Sequence, residues 1–239
     1  MYVFKFNIKG NFHLISLDAI NIFWGVKYEL LIFDLDGTLI DTRQDITNSA
    51  NEMLAFYGLE AKCVDEITAY VGDGIAKLVE RCIDNHPIDL EEAVSIFKRS
   101  YAGHLLDFTK PYPGIIDLLK RLEGVSKAIL TNKAYDMSKT ITDGLGLTGY
   151  FEVFVGGDTL SRRKPSPDGI HFILEKTGTP NERALLIGDG RNDLLTARSA
   201  GVQSVYVSWG FSDHRDVEEL KPEYVIDQPE ELLAIVQAS

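Results

Sequence analysis

The stretch that decides the fold is LLIFDLDGTLIDT, residues 30–42. It begins with four apolar residues, Leu30 to Phe33, and then places two carboxylates, Asp34 and Asp36, on either side of one leucine. A short continuous apolar run is typical of a strand that is covered on both faces. Side chains at positions i and i+2 of an extended chain share a face. The sequence therefore predicts a buried strand that ends in two neighbouring acids.

Further short apolar runs follow the same pattern and alternate with helical stretches. The predicted strands are SKAILTN (126–132), FEVFVGGD (151–158), ALLIGDG (184–190) and SVYVSWG (204–210). The helical stretches between them end at glycine, which is a common helix stop. Strands that alternate with helices of this length indicate a parallel sheet with right-handed crossovers. We predict an α/β fold with a Rossmann-like parallel sheet core.

Residues 43–110 break this alternation, because they contain helical periodicity and no convincing strand. The sequence predicts an all-helical insert directly after the first strand. KPYPG, residues 110–114, is the expected re-entry hinge, since its two prolines disfavour helix. The predicted division is an N-terminal extension of unclear role at 1–27, a core at 28–42 and 111–239, and the insert at 43–110.

Composition and net charge argue against some classes of binding partner. The chain has 239 residues and a net charge of −12, which argues against a broad nucleic-acid surface or an anionic membrane partner. No apolar run approaches the length of a membrane span, and the first 27 residues make a poor signal peptide. The two cysteines, Cys63 and Cys82, are expected to be free thiols. We expect a cytoplasmic protein that is a monomer or a homodimer.

Polar residues recur at the ends of the predicted strands, where open parallel sheets bind their ligands. These residues are Asp34, Asp36, Thr131, Asn132, Lys164, Asp189 and Asp193. Several carboxylates at one edge oppose each other unless a cation lies among them. Oxygen ligands without nearby histidine or cysteine suit Mg²⁺, which is usually held together with a substrate phosphate. The cluster therefore suggests Mg²⁺ and a small phosphorylated metabolite.

The same residue types can carry phosphoryl transfer. An aspartate can act as a nucleophile, and a second acid two positions on can protonate the leaving oxygen and then activate water. Lys164 and Thr131 can supply the positive charge and hydrogen-bond donors that a transferred phosphoryl group needs. Taken alone, Asp34 and Asp36 could equally be turn acids that cap a following helix.

Four motifs in order resemble those of the haloacid dehalogenase (HAD) superfamily of phosphohydrolases. They are DLDGT (34–38), LTN (130–132), Lys164 within RRKPSPD, and GDGRND (188–193). The resemblance covers residues 29 to about 236. A departure is Gly190, where serine is common in relatives, and its effect is expected to be the loss of one hydroxyl.

The resemblance implies a role for each matching residue. Asp34 would be the nucleophile and a Mg²⁺ ligand, and Asp36 would be the general acid/base with its backbone carbonyl on the metal. Asp189 would complete the protein ligands, with Asp193 supporting the site. The expected phosphate-binding residues are Thr131, Asn132 and Lys164, helped by the backbone amides of Leu35 and Asn132.

The helical insert resembles the small helical cap of such enzymes, and YVGDGIAKLVERC (70–82) is similar to the cap loop and helix of phosphoglycolate phosphatases. The resemblance implies substrate contacts from Gly72, Gly74, Lys77 and Arg81. Lys77 and Arg81 share a helical face and could read a substrate carboxylate or pair with nearby acids. The expected reaction is hydrolysis of 2-phosphoglycolate to glycolate and phosphate. The alternatives are a pyrophosphatase, a sugar-phosphate phosphatase or phosphomutase, and a regulatory protein that binds a phosphorylated ligand.

Overall fold

The core of the molecule is a six-stranded sheet in which every neighbouring pair of strands is parallel. The structure, a computed structural model, describes residues 3–8, 11–16 and 27–237. In the order of the sheet, the strands are β10 (Tyr224–Ile226), β9 (Gln203–Val207), β8 (Ala184–Gly188), β3 (Leu30–Phe33), β6 (Ser126–Leu130) and β7 (Val153–Val155). Strands occur at all the predicted positions, and the prediction of a Rossmann-like α/β core is confirmed.

Helices cover both faces of this sheet, which explains why β3 is a continuous apolar run. Leu30 and Ile32 pack in a cluster with residues of α7 (Asp168–Thr177) and α8 (Arg191–Ala200). Leu31 and Phe33 belong to the cluster that contains residues of α5 (Ile115–Arg121) and α10 (Glu231–Gln237). Both sides of the central strand are therefore buried, as the hydrophobic effect favours for a run of this composition.

The chain between Ile40 and Pro111 forms a helical segment with no strand between residues 42 and 109. Its helices are α1 (Arg43–Phe56), α2 (Val64–Thr68), α3 (Ile75–Ile83) and α4 (Leu90–Gly103). Two short strands, β4 (Ile40–Asp41) and β5 (Lys110–Pro111), pair antiparallel where the chain leaves and re-enters the core. The short helix α2 was not expected from the sequence.

A buried carboxylate joins the two connections of the helical segment. Asp45, near the start of α1, accepts hydrogen bonds from the backbone N–H groups of Phe108 and Thr109 and from the Thr109 hydroxyl, at 2.7–3.0 Å. Asp45 is almost fully buried. A buried carboxylate needs such donors, so these bonds fix the outgoing chain against the returning one.

Three further elements complete the described α-helices and strands. They are α6 (Tyr135–Gly144), α9 (His214–Glu218) and an N-terminal antiparallel pair, β1 (Val3–Ile8) and β2 (Asn11–Ser16). The N-terminal extension, predicted at residues 1–27, thus contains an antiparallel strand pair. The rest of the extension, residues 1–2, 9–10 and 17–26, lies outside the described residues.

Both cysteines are free, with Cys63 exposed and Cys82 buried. No helix in the described part of the chain is long and apolar enough to cross a membrane.

Candidate active site

Three adjacent strands deliver the polar residues of the site to one edge of the sheet. Asp34 follows β3, Thr131 follows β6 and Asp189 follows β8. The sheet hydrogen bonding continues one residue beyond two of these strands, since the Asp34 N–H donates to Ile187 O at 2.9 Å and the Thr131 N–H donates to Val155 O at 3.0 Å. These bonds fix the backbone at the point where the side chains enter the site.

The turn after Asp34 brings two loops into close approach. Gly37 has φ +84°, a conformation that residues with a Cβ rarely adopt. A Cβ at this position would lie 2.3 Å from Asp189 Oδ2. The glycine of the DLDGT motif is therefore required both by its backbone conformation and by the neighbouring acid.

A buried lysine lies among the acids. Lys164 Nζ is 2.8 Å from Asp34 Oδ1 and 2.6 Å from Asp193 Oδ1. Burial lowers the pKa of Lys164, but the carboxylates of Asp193 and Asp34 outweigh it and hold the pKa above its ordinary value. The lysine therefore carries a positive charge at the position where the sequence predicts a phosphate-binding group.

Burial disfavours the ionised form of two of these acids, Asp34 and Asp189. Burial raises the pKa of Asp34 to about 7, with Lys164 opposing and Asp193 adding to the shift. Burial likewise raises the pKa of Asp189 to about 8, with Asp34 and Asp193 as further causes. One lysine does not compensate three carboxylates that are buried or largely buried, so the site favours additional positive charge.

The donor set fits a hard divalent cation. Asp34, Asp189 and Asp193 each offer a carboxylate oxygen, and these atoms lie within 4.8 Å of one another. Asp34 Oδ1 is buried and, apart from the ion pair with Lys164, takes no aligned hydrogen bond from the described residues. This oxygen could therefore coordinate a cation that prefers oxygen ligands.

Neighbouring donors orient the other two acids of this set. Asp189 accepts from the Phe211 N–H at 2.7 Å and from the Thr38 hydroxyl at 3.2 Å. Asp193 Oδ2 accepts from the Gly190 N–H at 3.1 Å at the start of α8. Both carboxylates therefore have fixed directions before any ligand binds.

Asp36 lies beside this cluster and has separate partners. Its carboxylate accepts from the Thr42 hydroxyl at 2.9 Å and from Lys133 Nζ at 3.2 Å and 3.0 Å. Lys133 was not among the residues predicted for the site. It directly follows the LTN motif, but no local pattern indicates that its partner lies almost a hundred positions earlier in the chain.

Asn132 connects the core to the helical segment. Its Nδ2 donates to Gly72 O at 2.8 Å and to Lys164 O at 3.0 Å, so it fixes the lysine loop as well. Asn192 also donates to Gly72 O, and it reaches Asp73 Oδ1 at 2.8 Å. The loop that carries Gly72 is therefore fastened to two of the sequence motifs of the core.

The two cationic residues predicted to contact substrate from the helical segment differ in position. Arg81 lines the cavity and donates to Asp73 Oδ2 at 2.5 Å and to Tyr70 O at 2.9 Å. Lys77 is exposed, pairs with Glu80 at 2.5 Å and does not line the cavity. The structure thus brings Arg81 to the site and leaves Lys77 on the outer face of α3.

The four acids, Lys133, Lys164 and Arg81 all line one cavity of about 270 Å³. The acids, Lys164 and Thr131 line its core side, while Gly72, Gly74 and apolar residues of the helical segment line the opposite side. Its volume is just below the usual range for small-molecule sites, about 300–1,000 Å³, which suits a short substrate. Further lining residues that the sequence did not single out are Arg191, Phe211 and Ser212.

Comparison with known proteins agrees with this geometry. The family described as haloacid dehalogenase-like hydrolase matches residues 31–207. The chain belongs to this family. It is 37% identical over 214 residues to a protein of Pseudomonas aeruginosa named phosphoglycolate phosphatase 1, covering 85% of this chain and 78% of the relative. A phosphoglycolate phosphatase of Aquifex aeolicus is 35% identical over 209 residues, covering 87% of this chain and 96% of the relative.

The fold of this HAD-like chain also matches solved structures. A predicted phosphoglycolate phosphatase of Haemophilus somnus superposes with a TM-score of 0.82 at 27% identity, covering 88% of this chain and 99% of that one. The family and its named relatives together support phosphatase activity. The resemblance seen in the four motifs is thereby confirmed.

Proposed function

We propose that this HAD-like protein is a Mg²⁺-dependent phosphomonoester hydrolase whose substrate is 2-phosphoglycolate. The observation that supports it most strongly is the arrangement of two buried acids, the largely buried Asp34 and Lys164 at the core end of one small cavity. Relatives that are 37% and 35% identical to this chain are named phosphoglycolate phosphatases. A small cavity lined by several cations suits a short dianionic or trianionic metabolite.

In the first step, an Asp34 oxygen attacks phosphorus and the bond from phosphorus to the leaving oxygen breaks. Asp36 gives its proton to that oxygen, so glycolate leaves as the alcohol. Lys164 and Thr131 bind the phosphoryl oxygens, and the amides of Leu35 and Asn132 add donors. The product of this step is an aspartyl-phosphate on Asp34.

In the second step, Asp36 takes a proton from water as the water oxygen bonds to phosphorus and the Asp34–phosphorus bond breaks. Inorganic phosphate is released, and both aspartates return to their starting states. Asp34, Asp189 and the Asp36 backbone carbonyl would hold Mg²⁺, with Asp193 in support. The ion would neutralise the phosphate and the acids while the nucleophile approaches.

The helical segment, residues 43–110, serves in this proposal as a cap on the core formed by 28–42 and 111–239. Gly72 and Asp73 of the cap bond to Asn132 and Asn192 of the core beside the cavity. Closure of the cap over the cavity would exclude water from the aspartyl-phosphate until the alcohol has left. Gly72, Gly74 and Arg81 line the cavity from the cap side and would contact the leaving group.

The test is phosphate release from a panel of phosphomonoesters and pyrophosphate, with Mg²⁺ and with chelator. We expect 2-phosphoglycolate to exceed the other compounds in kcat/KM, and only with metal. Preference for pyrophosphate or a sugar phosphate would contradict the proposed substrate but would leave the proposed aspartyl-phosphate mechanism in place. Isomerised sugar phosphate without free phosphate would indicate a mutase, and saturable binding without turnover under any metal would indicate a binding protein.

A further inference from the structure

The ammonium group of Lys133 lies between an acid of the core and a tyrosine of the helical segment. Lys133 Nζ is 3.0 Å from Asp36 Oδ2 and 3.2 Å from Asp36 Oδ1, and it donates to Tyr101 Oη at 2.7 Å. It also lies 4.6 Å from the centroid of the Tyr101 ring. The Lys133 side chain is only 4% exposed.

Burying a lysine is costly unless its charge is paired, so this position is held for its interactions and not for its apolar stem. Burial lowers the pKa of Lys133, but Asp36 and Tyr101 outweigh it and keep the pKa above its ordinary value. The group is thus a fixed cation that lines the cavity beside the proposed acid/base.

Asp36 depends on this cation for its direction. Lys133 contacts both oxygens of the carboxylate, while Thr42 bonds only to Oδ1. Without Lys133, Oδ2 has no partner among the described residues, and the carboxylate can rotate. Proton transfer needs the donor oxygen within hydrogen-bond reach of the leaving oxygen, so this rotation would cost rate without removing the acid.

Tyr101 belongs to α4 of the helical segment, whereas Lys133 and Asp36 belong to the core. The tyrosine holds the lysine by both a hydrogen bond and a contact with the ring face. Two consecutive polar contacts, Tyr101 to Lys133 and Lys133 to Asp36, therefore connect the helical segment to Asp36.

We propose that Lys133 is a positioning residue that orients Asp36 for proton transfer to the leaving oxygen, and that Tyr101 makes this orientation depend on the docked helical segment. The inference rests on the proposed hydrolysis through Asp34 and Asp36. It concerns Lys133 and Tyr101, to which neither the four motifs nor the expected cap contacts assign a role.

The decisive measurement compares two leaving groups in the Lys133→Met variant, which removes the ammonium and keeps most of the side-chain volume. Glycolate must be protonated as it leaves, whereas the p-nitrophenolate of p-nitrophenyl phosphate is a stable anion at neutral pH. kcat/KM reports the steps up to the first phosphoryl transfer. Since general acid catalysis contributes about 10²–10⁴-fold, we expect a loss of at least about 30-fold for 2-phosphoglycolate and less than about 3-fold for the aryl ester.

Two further variants separate positioning from general loss of structure. Lys127→Met removes another buried lysine ammonium, which donates to the Leu122 and Val125 carbonyls at 2.7 Å, away from the cavity. We expect it to leave the ratio of the two kcat/KM values unchanged. Tyr101→Phe keeps the ring and removes the hydroxyl, and we expect a smaller loss that is again selective for 2-phosphoglycolate.

Equal losses on both esters in Lys133→Met would overturn the inference, because a disturbed site slows both reactions alike. If that variant does not fold, Tyr101→Phe decides: an unselective loss, or none, refutes the coupling through Tyr101. A wild-type protein that hydrolyses neither ester would refute the proposed function itself, which is a separate and recognisable outcome.

Discussion

The ammonium of Lys164 lies 2.8 Å from the carboxylate of Asp34, at a point where both side chains are largely buried. Lys164 also forms an ion pair with Asp193, so its positive charge is divided between two carboxylates. A nucleophilic carboxylate that is paired in this way is oriented without being fully neutralised. Its remaining acceptor capacity is available for a metal ion and for phosphorus.

The first prediction concerns Asp34 itself. Asp34→Asn keeps the size of the side chain and removes the nucleophilic oxygen charge, so phosphate release should fall by at least about 10³-fold. The fold should survive, because burial disfavours the charged carboxylate at this position. Phosphate release and thermal unfolding are measured together. Asp143→Asn is the matched control, since Asp143 is exposed on α6. If Asp34→Asn released phosphate at nearly the rate of this control, Asp34 would be excluded as the nucleophile.

The second prediction is a pH dependence of stability in chelator. The pKa of Asp189 rises from 3.8 to about 8 on folding, and that of Asp34 from 3.8 to about 7. Between these values the folded state binds more protons than the unfolded state, so the free energy of unfolding falls as the pH rises. The midpoint of thermal unfolding should therefore be lower at about pH 8 than at about pH 5, and Mg²⁺ should reverse most of the loss at the higher pH.

Asp189→Asn provides the control for that experiment. It removes the group with the larger shift, so the pH-dependent loss of stability in chelator should become smaller. A metal-free wild type whose unfolding midpoint rises between about pH 5 and about pH 8 would contradict the assignment of these two groups.

The third prediction tests the connection between the helical segment and the core. Asp45→Ala leaves the buried donors of Phe108 and Thr109 without an acceptor. Unsatisfied donors of this kind cost about 1–3 kcal/mol each, so we expect a loss of about 3 kcal/mol in the free energy of unfolding. Thermal unfolding should then occur roughly 6–12 °C lower for a chain of this size. Asp107→Ala removes an exposed partner of His104 and should change stability by less than about 1 kcal/mol.

The strand ends could be predicted because their information is local. A run such as Leu30 to Phe33 identifies a buried strand by itself, and a parallel sheet then places the residue after each strand at a common edge. Asp34, Thr131 and Asp189 are brought together for this reason alone.

The remaining features depend on contacts that no local pattern specifies. Lys133 is adjacent to a motif, yet its partners Asp36 and Tyr101 come from distant parts of the chain. The strand β10 was not predicted, because Glu223 and Asp227 limit its apolar run to three residues, whereas β7 lies in the longer stretch FEVFV. Which cation of α3 faces the cavity depends on how that helix packs on the core, and helical spacing gives no information on it.

The last prediction therefore compares the contributions of Arg81 and Lys77 to activity. The helical spacing puts both residues on one face of α3, but only Arg81 lines the cavity. Arg81 lines the cavity and supports the loop at Tyr70 and Asp73, whereas Lys77 pairs with Glu80 in solvent. A charged hydrogen bond is worth about 1.5–3 kcal/mol, so Arg81→Ala should lower kcat/KM for 2-phosphoglycolate by at least about tenfold, chiefly through KM.

Lys77→Ala should change the same parameter by less than about 2-fold, because exposed ion pairs contribute little. The two variants share a helix, a charge change and a truncation to alanine, so each controls for the other. Equal losses in both would mean that α3 acts through its net charge and not through the one guanidinium that reaches the cavity. A loss confined to Lys77→Ala would contradict the position of α3 over the site.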